Sequence, residues 1–201
     1  SFETFATNFV NGDKVFIISS IFGGTGASGF PLLLKNMRTN TNTALSNASI
    51  GAVSLLPYFN LKTNNDSSIQ ADSFITKTKA ALNYYEKNVS GNGTLDDMYY
   101  LGDDFTAAGY ENCDGGEEQQ NNAHLVEMLA ALSIIDFANK EDQIGYTKNT
   151  CFHEFGLDNT PQQSVVFADF GQITINEIRK PLSMMTIMNS YLNNRDVSHR
   201  N

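Results

Sequence analysis

The stretch that most constrains this chain is Val15 to Pro31, VFIISSIFGGTGASGFP. An apolar, β-rich run from Val15 to Phe22 enters a knot of small residues, and a proline follows. Flanked by turn residues, the run suits a buried strand of a parallel sheet. Glycines between such a strand and a helix admit φ > 0 and let the backbone approach a ligand. They also leave the first N–H groups of the helix facing any anion there. The turn therefore reads as a phosphate cradle or as a tight strand-to-helix connection and nothing more. Pro31 falls, on this reading, in the first turn of a helix that Leu32, Leu33, Leu34 and Met37 continue.

The rest of the chain extends this unit. IGAVSLLPYF is a second apolar strand, ended by Pro57. Phe74, Ile75, Thr78, Leu82 and Tyr85 recur at helical spacing behind Ser67 and Ser68, which predicts a helix from about Ile69 to Glu86. DDMYYLGDD then reads as a third strand, and strand, helix, strand, helix, strand is the alternation of an α/β sheet. A polar, acidic loop over residues 105–122 has the length of functional or mobile loops. It leads into a helix from about Asn121 to Ala138 that is apolar nearly all round, which predicts burial between two bodies. Beyond Asn139 the pattern turns irregular, with a strand SVVFADF and a Met-rich helix near Leu182 to Leu192. Thr174 and Glu177 have capping-box spacing, but Pro181 places the helix start near itself. Met184, Met185 and Met188 read as core. The expected fold is α/β. A parallel-sheet, Rossmann-like nucleotide-binding domain spans residues 1–140, and residues 141–201 form a linker and the start of a second, α+β domain.

Charge limits what the glycine turn could hold. The net charge is −9 and the pI about 4.7, with scattered Lys and Arg, which excludes a nucleic-acid surface. A phosphate would have to be held by backbone N–H groups. Cys113 and Cys151 make no disulfide framework and no zinc spacing. No apolar run reaches the length of a membrane span and no leader pattern opens the sequence, so a reduced, cytoplasmic compartment is expected. His153 and Glu154, near Cys151, do not read as a nucleophilic pair.

Two families share features with the glycine turn. Read as Gly23-x-x-Gly26-x-x-Gly29, it is similar to the short-chain dehydrogenase turn and implies NAD(P). The next strand, however, ends LLPYFN without an acid for the ribose, and no Tyr-x-x-x-Lys pair follows. DKVFIISSIFGGTGASGFP more closely resembles the glycine signature of the tubulin/FtsZ family, with Asp13, Val15, Phe16, Gly23, Gly24, Thr25, Gly26 and Pro31 in register. Phe22 and Ser28 stand where that family has glycines. Downstream, Pro57, Tyr58 and Phe59 match the family's Pro-Phe before its ribose loop, and LDDMYYLGDD matches its next strand. NNAHLVEMLAALSIIDF matches its long central helix with a base-contacting Asn. The resemblance covers residues 13–139.

This resemblance implies a GTP- or GDP-binding protein. Gly23, Gly24, Thr25, Gly26, Ala27 and Ser28 would surround the phosphates, with Mg²⁺ there and no side-chain metal site. Asn60 would substitute in the ribose loop, and Asp103 stands where the family has an Asn that touches guanine. Asn122, in preference to Asn121, would contact the base, although both also fit helix N-caps. The family hydrolyses GTP when a neighbouring subunit supplies an acidic loop. SVVFADF keeps Phe167, Ala168 and Asp169 of that loop but has Ser164 and Val166 in place of its Asn and first Asp. Asp169 is thus the candidate catalytic residue, or a strand-end acid without a role, and turnover is expected to be slow or absent. The resemblance also implies head-to-tail homo-oligomers through the nucleotide face. The glycine signature lies too near the start for the family's first phosphate loop, so the chain is expected to be a piece of a longer protein. Two other classes stay open. One is an NAD(P)-binding oxidoreductase. The other is a non-catalytic, tubulin-like scaffold whose glycine turn packs against its own chain.

Overall fold

The computed structural model describes residues 1–21, 23–61, 72–90, 93–103, 109–110, 117, 122, 124–140, 149–153 and 172–198. The chain divides into two compact units, Ser1–Glu154 and Phe155–Asn201. In the first unit the elements run α1 (Phe2–Asn8), β1 (Val15–Ser20), α2 (Gly24–Arg38), α3 (Thr43–Ser46), β2 (Ile50–Leu55) and β3 (Asn60–Leu61). They continue with α4 (Asp72–Tyr85) and its π-helical extension Glu86–Ser90, β4 (Asp97–Leu101), β5 (Gly109–Tyr110), α5 (Leu125–Asn139) and β6 (Cys151–His153).

Strands β1, β2, β4 and β6 form one parallel sheet in that spatial order, and β3 pairs with β5 beside it. Alternation along each strand sorts its side chains between two faces. On one face Ile17, Ile50, Ala52 and Met98 join Phe30, Leu34 and Met37 of α2, Leu45 of α3 and Tyr85 of α4 in the main core. Each large apolar side chain so buried contributes about 1.5–3 kcal/mol. The opposite face receives α5. The Phe137 ring lies 5.4 Å from that of Phe16, and a Cβ at Gly51 would stand 2.7 Å from Phe137, so only glycine admits the helix this closely. The connections through α2 and α4 cross one face while that through α5 crosses the other. Because the strand order advances the same way throughout, the α5 connection has the opposite hand to the first two.

Helix α2 corrects two expectations about the glycine turn. It begins at Gly24, so the small residues form its first turns, and Pro31 lies well inside it. Nor does any described glycine of the turn have positive φ; that conformation occurs only at Gly12 and Gly93 among the described residues. Proline at position 31 removes the N–H that would bond the Ala27 carbonyl. The Tyr85 hydroxyl of α4 donates to that carbonyl instead, at 2.8 Å. The helix thus tolerates Pro31 because a neighbouring helix satisfies the group the proline abandons.

Helix α5 is not enclosed all round as its composition suggested. Val126, Leu129, Ala130, Ser133 and Phe137 are buried, while Ile135 is 56% exposed. In the second unit, α6 (Gln172–Ser198) runs through Pro181, so the helix does not start there as expected. A proline removes one bond from a helix, and one of 27 residues retains the others. Met184, Met185 and Met188, expected in a core, are exposed. The expected strand SVVFADF and Asp169 lie outside the described residues.

The N-terminal ends of the strands are tied by Arg38 at the end of α2. Its guanidinium donates to the carbonyls of Thr94 and Ala48, each at 2.7 Å, and of Ser46 at 3.2 Å, and it pairs with Asp96 at 3.0 Å. Asp96 in turn accepts from the Ile50 N–H at 2.8 Å. One buried side chain therefore fixes α2, the turn after α3 and the starts of β2 and β4.

Candidate functional site at the C-terminal rim of the sheet

At the C-terminal end of β1 the Ile21 N–H bonds the Leu55 carbonyl at 3.0 Å, and the chain then turns into α2. Gly23 is the N-cap in an extended conformation, and no cap side chain reaches the first-turn N–H groups. Those groups carry the positive end of the helix dipole. Gly23, Gly24 and Thr25 are exposed, and a Cβ at Gly23 or Gly24 would meet nothing within 4 Å. Packing thus does not require glycine at either position. Gly26 differs. A Cβ there would stand 2.1 Å from the Ser20 carbonyl oxygen, so the end of β1 itself demands glycine. Ser28 turns its hydroxyl back to donate to the Gly24 carbonyl, and Ala27 is the residue whose carbonyl Tyr85 holds. One residue before the end of β2, the Ser54 hydroxyl is fully buried and has no hydrogen-bond partner among the described residues. An orphan of this kind costs about 1–3 kcal/mol.

A second part of the rim is aromatic. The Tyr58 ring lies 5.0 Å from both Phe59 and His124, and Phe59 lies 5.1 Å from Tyr110. The Tyr58 hydroxyl donates to Glu127 at 3.2 Å. Burial, with the Glu127 charge adding to it, pushes that phenol up to about 12. Asp103 stands 3.6 Å from His124 Nε2, while His124 Nδ1 accepts the Val126 N–H at 3.1 Å and so caps α5. One of the two sequence readings of Asn121 and Asn122 makes them helix N-caps, beside a base-contacting role for Asn122. The structure corrects the cap for Asn122, which is exposed ahead of the helix and accepts the Tyr110 hydroxyl on its backbone carbonyl at 3.1 Å. His124 reads from the sequence as a packed or capping-region histidine, but histidine is not among the usual N-cap residues, so the sequence alone does not assign the cap to it. The fold therefore brings Tyr58, Asp103 and the start of α5 together. Asn60 sits in β3, paired with Gly109, and its side chain is outside the described set, as are Asp104 and Asn121. Among the described residues no group of three or more His, Cys, Asp or Glu could hold a metal ion.

The opposite rim carries a cluster the sequence did not announce. Lys140 binds Asp97, stands 3.7 Å from Asp136 and donates to His153 Nε2 at 2.8 Å, while His153 also contacts Asp97. Tyr99 stacks on His153 at 4.4 Å and donates to Asp136. Burial first, and then the bond to the Asp136 carboxylate, hold the Tyr99 phenol far above its ordinary range. Lys14 donates to the carbonyl of Ala138 near the end of α5 and to that of Lys140, the C-cap of the helix. These contacts join β4, α5 and β6, and they place His153 against Asp97 and Lys140.

The sheet and its helices define an α/β protein with a four-stranded parallel sheet, compatible with a Rossmann-like domain. Comparison with protein-family models, with curated proteins and with solved structures finds no match to this chain. No helix among the described residues is long and apolar enough to cross a membrane.

Proposed function

We propose that the first unit is a guanine-nucleotide-binding domain of tubulin/FtsZ-like type, which self-assembles through its nucleotide face and hydrolyses GTP slowly or not at all. The observation that carries this reading is the start of α2: exposed, without a side-chain cap, and open at Gly23 and Gly24 at the C-terminal end of a parallel strand. Ligands of open α/β sheets bind outside the carboxyl ends of their strands, and an uncapped helix N-terminus favours phosphate there. The donor set fits a phosphate. The backbone N–H groups of residues 24–26 would hold it, and Tyr58, Asp103 and Asn122 supply an aromatic and polar rim for a base and ribose. Mg²⁺, when bound, would neutralise phosphate charge, with its ligands drawn from phosphate and water. A bound nucleotide would be oriented by the fixed geometry of this turn. Hydrolysis would further require the acid supplied at Asp169.

Calorimetry with GTP, ATP and NADPH on the chain and on Thr25→Glu tests this. Thr25 is exposed in the first turn, so a carboxylate there complements the helix dipole but repels phosphate. Binding of GTP that Thr25→Glu weakens at least about tenfold supports the proposal. NADPH binding in its place contradicts it. Gly26→Val is unsuitable as the control, since its side chain would collide with Ser20. That same close approach favours a second reading, a non-catalytic tubulin-like scaffold, in which the turn serves the packing of its own strand and none of the three nucleotides binds.

A further inference from the structure

On the flank of α2 facing α4 lies a cleft of about 460 Å³, lined by Gly24, Ala27, Ser28, Pro31, Leu32 and Lys35 of α2 and by Ala81, Tyr84 and Tyr85 of α4. Its shape follows from sequence. Positions 24, 27, 28, 31, 32 and 35 lie on one side of a helix, and small residues at 24, 27 and 28 leave room where α4 would otherwise pack. The floor is fixed by the Tyr85 hydroxyl bond to Ala27, which holds the two helices together. Leu32 and Tyr84, 60% and 52% exposed, form apolar walls open to solvent. At the α2 C-terminal end stands Lys35, an exposed ammonium with no carboxylate partner among the described residues.

A volume of this size, mostly apolar with a few polar groups, belongs to small-molecule sites. It is too small for a partner helix, which with its side chains is about 10 Å across. We propose that this cleft binds a single-chain amphiphilic anion, an acyl or aryl carboxylate. The carboxylate meets Lys35, and the apolar body lies over Pro31, Leu32, Ala81 and Tyr84. A neutral apolar ligand would leave the lysine unused, and a small hydrophilic anion would leave the walls wet. The cleft borders the turn proposed for phosphate and shares Gly24, Ala27 and Ser28 with it, but the groups invoked here are the Lys35 ammonium and the apolar side chains of α2 and α4, so the proposal is tested without nucleotide.

The test uses the full chain labelled with ¹³C at alanine methyls, titrated with decanoate and, as the uncharged control, decanol. Decanoate is expected to shift the Ala27 and Ala81 methyls saturably below about 1 mM, with decanol about tenfold weaker, the order of one charge-assisted contact. Lys35→Gln should bring decanoate down to the affinity of decanol and leave decanol unchanged. Ala81→Trp, which fills the cleft, should abolish the Ala27 shift while circular dichroism stays native; if it does not fold, Lys35→Gln and decanol still decide. Equal binding of decanoate and decanol, indifference to Lys35→Gln, or shifts elsewhere than Ala27 and Ala81 would overturn the proposal. Sedimentation with anionic phospholipid vesicles separates a free amphiphile from a bilayer. The protein should stay in the supernatant, and co-sedimentation lost in Lys35→Gln would assign the cleft to a lipid headgroup instead.

Discussion

The two ends of the parallel sheet are built on different principles. At the N-terminal ends of the strands, charge is consumed internally: Arg38 bonds Asp96 and three carbonyls, Lys140 sits among Asp97, Asp136 and His153, and Lys14 closes the end of α5. At the C-terminal ends α2 starts without a side-chain cap, two glycines face open space, and the Ser54 hydroxyl has no partner among the described residues. One end spends its polar groups on holding the fold together. The other leaves polar backbone directed outward, as a binding rim does. The same division separates Gly26, which its own strand requires, from Gly23 and Gly24, which packing does not.

The sharpest way to break the stapled end is Arg38→Ala. It leaves the Asp96 carboxylate without the guanidinium that pairs with it and strips three carbonyls of that donor, so unfolding in urea should show a loss of about 3–5 kcal/mol. Nucleotide or amphiphile binding to the fraction still folded should be unchanged. Tyr85→Phe acts between the two ends. It deprives the Ala27 carbonyl of its donor, with an expected loss of about 1–3 kcal/mol. In Pro31→Ala/Tyr85→Phe the restored N–H of residue 31 takes over that carbonyl, so the double variant should be less destabilised than Tyr85→Phe alone. A result showing simple additivity would remove the proposed link between the proline and the tyrosine.

Alkaline pH compares the ends without mutation. Tyr58 at the open rim and Tyr85 in the core are each raised from 10 to about 12, both chiefly by burial. The unfolded chain releases these protons near pH 10, and the folded chain holds them longer. Their contribution to stability is therefore complete below pH 10 and declines as pH rises toward 12. Urea midpoints should fall across that window while phenolate absorbance lags behind that of the denatured protein. The smallest effect is at the open turn, where Thr25→Glu should raise stability by about 0.3–1 kcal/mol through the helix dipole.

Local patterns made the alternating strands and helices legible. Continuous apolar, β-rich runs pointed to β1 and β2, DDMYYLGDD to β4, helical spacing to α4, and a long run apolar nearly all round to α5. Long-range compensation was not legible. Pro31 looked like a helix start because the Tyr85 hydroxyl that lets it sit mid-helix lies 54 positions away in the sequence, on another element. The one-sided burial of α5 could not be read from a composition that is apolar on every side. His124 was recognised as a capping-region residue, but its displacement of Asn122 from the cap depends on the turn of its ring toward Val126. Arg38, Asp97, Lys140 and His153 are dispersed charges in the sequence, and only the strand order brings them together. Of the candidate site, the glycine turn was visible from spacing alone, whereas the grouping of Tyr58, Asp103 and the start of α5 depends on the sheet.

The central claim is that the open turn at the start of α2 holds phosphate through its backbone. The most direct measurement is paired: thermal stability and GTP affinity of the chain and of Thr25→Glu, by calorimetry under the same conditions. The account predicts opposite signs, with the variant slightly more stable and at least about tenfold weaker for GTP. GTP binding that Thr25→Glu leaves intact, or no GTP binding by the unaltered chain, would contradict it.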